Sequence, residues 1–211
     1  MKIALFGATG NIGSRILHEA LARGHEVTSI VRDPKRLNVS NTRLNVVRGN
    51  VLESRSVAVT VAGHDVVISA VGPRNSESPN MIVDSARSLV EGLNAAGVRR
   101  LIVSGGAGSL EVAPGVQLVD TPEFPAAWKP VALAHREALG IYRASNLDWT
   151  YLSPANEIVP GERTGHYRIG TDQLVRDSKG KSLISMEDYA MAALDEVEKP
   201  RFLRRRFTVA Y

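Results

Sequence analysis

Three glycines stand at positions 7, 10 and 13 of the stretch "LFGATGNIGSRI", residues 5–16. Glycine inside a strand or helix costs roughly 0.5–1 kcal/mol against alanine, so three at this spacing need a chemical reason. They lie between an apolar run and a run with helical spacing. There, Gly7 permits a tight turn with positive φ, Gly10 lets the main chain approach a pyrophosphate, and Gly13 lets a helix pack closely on a sheet. A helix opening at this point aims unpaired N–H groups and the positive end of its dipole at the phosphates. Thr9 and Asn11 can add side-chain hydrogen bonds. A plain strand–turn–helix junction needs only one glycine, and no Gly-Lys-Ser/Thr follows, so a P-loop is excluded. The pattern predicts a dinucleotide site.

A second signal sits in "VRDPKR", at the end of the next strand-like run. An acid there binds a ribose 2′-hydroxyl, and an arginine accommodates a 2′-phosphate. Arg32 comes first, then Asp33, with Lys35 and Arg36 close by. A charge-assisted contact contributes about 1.5–3 kcal/mol, which favours NADP(H) over NAD(H). In the competing reading Arg32 is a surface residue and Asp33 reads the ribose.

These residues have to be positioned by the rest of the chain. Residues 2–6, 25–32, 44–50, 65–72, 100–106, 148–154 and 206–210 read as strands, the fourth being the nearly continuous apolar run of a strand buried on both faces. Residues 12–22, 80–96, 131–145 and 186–198 read as helices, the last behind a Ser185/Asp188 capping box. In 54–62, Val57, Val59 and Val61 alternate like a strand, but the position between two strands argues for a crossover helix, which is the expectation here. Residues 107–130 are rich in proline and glycine, and 160–182 are predicted as loops with a small hairpin. Alternating strands and helices predict an α/β fold, a doubly wound parallel sheet with helices on both faces. Ligands of such sheets bind beyond the carboxyl ends of the strands, which draws attention to loops 7–13, 32–36, 50–53, 70–79, 104–110 and 153–160.

Composition narrows the function. The 211 residues suit one domain spanning 1–211, and the absence of cysteine excludes disulfides, thiolate metal sites and a cysteine nucleophile. His18, His25, His64, His135 and His166 have no metal-ligand spacing, so no metal is expected. The net charge is +4, and the one dense basic run is Arg204-Arg205-Arg206. No nucleic-acid partner is expected from so little clustering, and scattered arginines instead suit an anionic small molecule. Apolar residues start at Ile3 without a leader, and no apolar run is long enough for a bilayer, so the expectation is a cytoplasmic protein with no membrane partner.

The segments "KIALFGATGNIGSRI", "VRDPKR", "VISAVG", "LIVSGGAGSL", "WTYLSPA", "GERTGHYRIG" and "ISMEDYAMAALDE" together resemble the NAD(P)H-binding, atypical short-chain dehydrogenase family. Within it they look most like NADH-flavin reductases, which are similar to NmrA-like regulators. The resemblance runs nearly end to end and implies a Rossmann-like single domain with a small C-terminal substrate-side region. It implies cofactor contacts at Gly7, Ala8, Thr9, Gly10, Asn11, Ile12, Gly13 and Arg32. It further implies an adenine-side contact from Asn50 and Val51, where relatives often carry aspartate, and Ala70, Val71 and Gly72 under a ribose. Ser104 and Gly105 are implied near the nicotinamide, with Ser153, Pro154 and Ala155 flanking it.

One departure shapes the chemistry. Alcohol-oxidising short-chain dehydrogenases use Tyr-x-x-x-Lys, but here Tyr142 is followed by Asn146 and Tyr151 by Ala155. Carbonyl reduction by that machinery is disfavoured. Hydride transfer to a flavin does not need it, because the cofactor carries the difficult chemistry. Two functions remain open: an NAD(P)H-dependent reductase of a flavin or another flat conjugated small-molecule acceptor, and a non-catalytic NADP(H)-binding sensor that reports to a protein partner. A homodimer suits either. The catalytic candidates are Ser104, which either bonds the substrate or caps backbone, and His135, either a proton donor or a structural histidine. On the substrate side, Trp128 either stacks on a ring or packs in the core. Arg163, His166, Tyr167 and Arg168 either cover the site, together with loops 107–130 and 153–182, or form a solvated loop.

Overall fold

A computed structural model of the protein describes residues 1–73 and 77–211, so the middle of the 70–79 loop lies outside the described residues. The chain begins with β1 (Lys2–Phe6), α1 (Asn11–Ala22), β2 (Glu26–Val31), β3 (Leu44–Arg48), α2 (Ser54–Val61), β4 (Val66–Ser69), α3 (Met81–Ala96) and β5 (Arg100–Ser104). It continues through β6 (Glu111–Ala113), β7 (Val116–Gln117), α4 (Lys129–Ala144), β8 (Asp148–Ser153), β9 (Glu157–Val159), β10 (Arg168–Gly170), β11 (Leu183–Ser185), α5 (Met186–Glu198) and β12 (Arg205–Ala210).

Eight strands form one sheet in the order β3-β2-β1-β4-β5-β8-β12-β10. The pairings from β3 to β12 are parallel, and β10 alone runs antiparallel, against β12. Chain order reverses between β1 and β4, the switch point at which doubly wound sheets open a crevice. Ile3, Leu5, Val66, Ile68 and Ile102 face a core layer shared with α1 and α5. Ala4, Phe6, Val67, Leu101 and Val103 face the opposite layer, shared with α2, α3 and α4. This alternation along doubly covered strands explains why they read as continuous apolar runs.

The ambiguous valines resolve as a helix. Val57 and Val61, one turn apart, are fully buried, whereas Val59 is 73% exposed. Gly92 of α3 lies directly against them, since a Cβ there would stand 2.6 Å from the Val57 side chain. The predicted hairpin within 160–182 is corrected. Arg168–Gly170 instead becomes the outer strand of the main sheet, and Glu157–Val159 pairs in parallel with β11. Three residues of "RIG" carry too little pattern to announce a strand whose partner lies far along the chain.

Between β9 and β10, residues 160–167 form a strap across α1 and α5. Arg163 makes two hydrogen bonds of 2.9 Å to Glu19, which also accepts from Arg23 at 2.7 Å. Tyr167 donates to Asp195 at 2.7 Å. The capping box is half formed: Ser185 Oγ accepts from the Asp188 N–H at 3.0 Å. The Asp188 carboxylate does not reach back to Ser185. It accepts instead from the Thr164 hydroxyl, the Gly165 N–H and the Tyr211 hydroxyl, and so fastens the strap.

Glu19 is 9% exposed, and the Arg163 guanidinium, aided by Arg23 against the pull of burial, holds its carboxyl below the usual carboxylate range. A depressed folded-state value stabilises the fold above the unfolded value and loses that contribution as pH falls through the folded one. Glu19→Gln is therefore expected to cost about 1–3 kcal/mol at pH 7 and to flatten the loss of stability on acidification below about pH 4.5. Urea-unfolding midpoints of both proteins from pH 7 to pH 3 measure this.

Candidate functional site

A cleft of about 520 Å³ opens at the carboxyl ends of β1 to β5. Its walls are the loop Gly7–Ile12, the ends of β2 and β3, the start of the loop after β4, and Ser104 with Gly105, closed at the inner end by His135 and Met186.

The glycine loop supplies one wall, and its three glycines are required for different reasons. Gly7 has φ +88°, and a Cβ on it would lie 2.3 Å from the Ala70 carbonyl oxygen. A Cβ on Gly13 would lie 2.1 Å from the Gly7 carbonyl oxygen. Those two glycines are demanded by the packing of β1, β4 and α1. Gly10 is different, because a Cβ there meets only the Gly7 oxygen, at 3.3 Å, and its φ of −91° and ψ of 168° suit any residue. Its missing side chain relieves the fold far less than at the other two positions and leaves open space in the cleft. Gly10 is also the N-cap of α1, gives no side-chain cap, and is followed by a first turn without acidic residues. The N–H groups of Asn11, Ile12 and Gly13 therefore lack intrahelical acceptors at the positive end of the helix dipole. This donor set fits the pyrophosphate of a dinucleotide.

The far end carries charge of both signs. Arg32, half exposed, reaches Glu77 at 2.6 Å across the cleft mouth. Asp33 accepts from the Lys35 N–H at 3.1 Å and caps the 3₁₀ turn Pro34–Arg36, while Arg36 lines the cleft. Asn50 is held in its own turn, donating to Glu53 at 2.6 Å and accepting from the Leu52 N–H at 3.1 Å.

The inner end is neutral. Ser104 Oγ lies 3.0 Å from the Tyr189 hydroxyl, which donates to the Leu152 carbonyl at 2.6 Å. Gly105 and Gly106 let two rings come against the main chain: Cβ atoms there would stand 2.0 Å from the Tyr151 ring and 2.9 Å from the His135 ring. His135 Nδ1 is 3.1 Å from the Tyr151 hydroxyl, which donates to the His135 carbonyl at 3.0 Å. Burial pulls the His135 imidazole down to about 4. The neutral imidazole is therefore the favoured form, and its contacts with Tyr151 fix the ring where it lines the cleft.

Of the residues anticipated from sequence, the cleft gathers Gly7, Thr9, Gly10, Asn11, Ile12, Arg32, Asn50, Val51, Ala70, Val71, Gly72, Ser104, Gly105 and His135. Ala8 is fully buried behind the loop, and Gly13 serves the helix–strand contact. Ser153, Pro154 and Ala155 are buried and do not line the cleft; the chain runs on from them into β9, which pairs with β11. Arg163 and Tyr167 do not face it either. Their partners Glu19 and Asp195 draw them onto α1 and α5, and His166 lies in the same strap beside Thr164. Arg168 opens the edge strand β10. No residue of 107–130 or 153–182 lines the cleft. Residues 107–130 pack instead on α4, where Arg136 holds Asp120 at 2.9 Å. Trp128 is 62% exposed, so it is not a core residue. It precedes His135 by two helical turns, roughly 10 Å along the same face.

Sequence reasoning passed over Glu77, Met81, Met186 and Tyr189. Glu77 is the one acid in residues 70–79, a signal that was available, and Met186 opens a helix directly after a capping serine. Tyr189 carries no local signal, as it reaches Ser104 only through the docking of α5. Among the described residues, no group of three or more histidine, aspartate or glutamate side chains could hold a metal, and no helix is long and apolar enough to cross a membrane.

Known proteins share this design. The sequence model of a family described as NAD(P)H-binding matches residues 7–200. The chain is 41% identical over 213 residues to the uncharacterised protein YwnB of Bacillus subtilis, covering 99% of this chain and 98% of that one. A solved "putative exported protein" of Burkholderia pseudomallei is 51% identical with a TM-score of 0.92, covering 100% of both chains. A solved "putative NADH-flavin reductase" of Streptococcus pneumoniae is 34% identical with a TM-score of 0.88, covering 100% of this chain and 99% of that one. The glycine loop, the switch-point cleft and these full-length similarities lead to one conclusion: the chain belongs to the NAD(P)H-binding family and has its Rossmann-like fold.

Proposed function

We propose that the protein is an NAD(P)H-dependent reductase, with NADP(H) preferred, that passes hydride to a flavin or a similarly flat conjugated acceptor. The observation that carries this reading is the form of the cleft, which runs from a bare-backbone phosphate cradle at Gly10 to a neutral inner end at Ser104, Gly105 and His135. Gly10 and the first turn of α1 would hold the pyrophosphate, Arg32 and Arg36 a 2′-phosphate, and Ser104 with Gly105 the ring end. When bound, reduced nicotinamide supplies the hydride. The chain's part is to align the donor and acceptor rings and keep water from them.

The inner end supports an acceptor that needs no strong acid from the protein. Tyr142 and Tyr151 are buried, and burial pushes both phenols up, opposite to the lowering that a lysine-assisted tyrosine requires. Met186, at the start of α5, offers apolar surface to a flat ring at the inner end. The Streptococcus protein, named a flavin reductase, agrees with this acceptor class. A cytoplasmic setting, where reduced nicotinamide nucleotides are maintained, suits the activity.

Three measurements test the reading. Loss of NADPH absorbance is expected on adding FMN, FAD, riboflavin or a quinone. Tight cofactor binding without turnover of any of them would assign a sensor with a protein partner instead. Gly10→Val is expected to lower the urea-unfolding midpoint modestly, because valine is a poor N-cap and its Cβ meets the Gly7 oxygen at 3.3 Å, while lowering nucleotide affinity by at least about tenfold, since a contact with phosphate is charge-assisted. Arg32→Ala is expected to weaken NADPH about tenfold to a hundredfold with little effect on NADH, as read by titration of nucleotide fluorescence.

A further inference from the structure

The hydrogen bonds at the inner end fix the direction in which Ser104 can act. A main-chain carbonyl can only accept, so the 2.6 Å contact between the Tyr189 hydroxyl and the Leu152 carbonyl uses the single proton of that phenol. Tyr189 is fully buried, and burial pushes its phenol up, so it keeps the proton throughout the working range. Toward Ser104, 3.0 Å away, the phenol oxygen can therefore only accept. Ser104 must donate its one proton to Tyr189, away from the cleft. Both lone pairs of Ser104 Oγ remain, and among the described residues no other side chain bonds that oxygen.

We propose that Ser104 acts in the cleft solely as a hydrogen-bond acceptor, selecting ring ligands that present an N–H, and that Tyr189 is the positioning residue that sets this direction. The inference rests on the reading of the cleft as a nicotinamide nucleotide site. It adds that Ser104 gives no proton to a substrate oxygen, so this side chain recognises an amide or imide N–H and does not polarise a carbonyl. Two ligands carry that chemistry: the carboxamide of nicotinamide and the ring imide of a flavin.

Calorimetric titration with two ligand pairs separates them. The first pair is NADP⁺ and its 3-acetylpyridine analogue, which keeps the carbonyl and replaces the amino group with methyl. The second is riboflavin and 3-methylriboflavin. The wild-type protein is expected to prefer the N–H partner of one pair by about five- to tenfold, and the pair that discriminates identifies the source. Ser104→Ala should abolish that preference. Tyr189→Phe frees the serine proton and should narrow the preference by improving binding of the partner without the N–H, while affinity for 2′,5′-ADP stays constant, an outcome that mere loosening of α5 would not give. Should Tyr189→Phe fail to fold, Ser104→Ala decides alone. Equal wild-type affinities within both pairs, or a preference that survives Ser104→Ala, overturn the proposal. If NADP⁺ and 2′,5′-ADP both fail to bind, the functional reading falls, yet the riboflavin pair still tests Ser104. Failure of every ligand overturns both.

Discussion

The architecture of the site depends on a contact made without side chains. Gly13 of α1 sits on the Gly7 carbonyl, and Gly7 sits under the Ala70 carbonyl, at separations that a single methyl group would close to 2.1 and 2.3 Å. Strand β1, strand β4 and helix α1 can meet at the switch point only because both positions are bare. The helix axis is thereby aimed into the crevice, and its unpaired N–H groups become one wall. Gly10 joins that geometry through its main chain, donating to the Gly7 carbonyl at 2.9 Å and accepting from the Ser14 N–H, and tolerates a Cβ better than the other two. One motif thus combines two glycines that the fold demands with one whose bare face opens on the cleft.

From that wall the cleft changes character along its length. The outer end is ionic and partly wet, where Arg32 and Glu77 meet with half of the arginine exposed. An ion pair in such a place contributes little to stability, so it can be exchanged for a ligand phosphate at small cost. The inner end is neutral and ordered by buried hydroxyls. Low dielectric there makes each donor–acceptor direction consequential, since an unmatched group is expensive. Affinity is thus suited to the outer end and orientation to the inner end, a division that fits a cofactor with a charged handle and a reactive neutral ring.

Much of this was legible in the sequence where local pattern and burial coincide. The strands covered by helices on both faces declared themselves as apolar runs, and Val57 with Val61 became helical by the topology around them, against their apparent alternation with Val59. The loops after β1 to β5 came together because in a parallel sheet they must share one end. What stayed hidden depended on distant partners. Arg163 looked available to a ligand, but a carboxylate on α1 claims it, and charge alone does not say which side of a sheet a loop will cross. Ser153 to Ala155 follow a strand as the other site loops do, yet they are buried outside the cleft. The Ser104–Tyr189 contact spans 85 positions and leaves no trace in either local segment.

The paired glycines after β5 tie several positions into one unit. With Gly105 bare, the Tyr151 ring lies where a side chain at 105 would be, and that tyrosine in turn holds both ends of His135. A lineage that acquires even alanine at 105 must shrink or relocate the ring at 151 in the same step, and the histidine then loses its anchor. Evolutionary drift at this corner is therefore restricted to concerted exchanges. A change at any one of these three positions is felt at the other two.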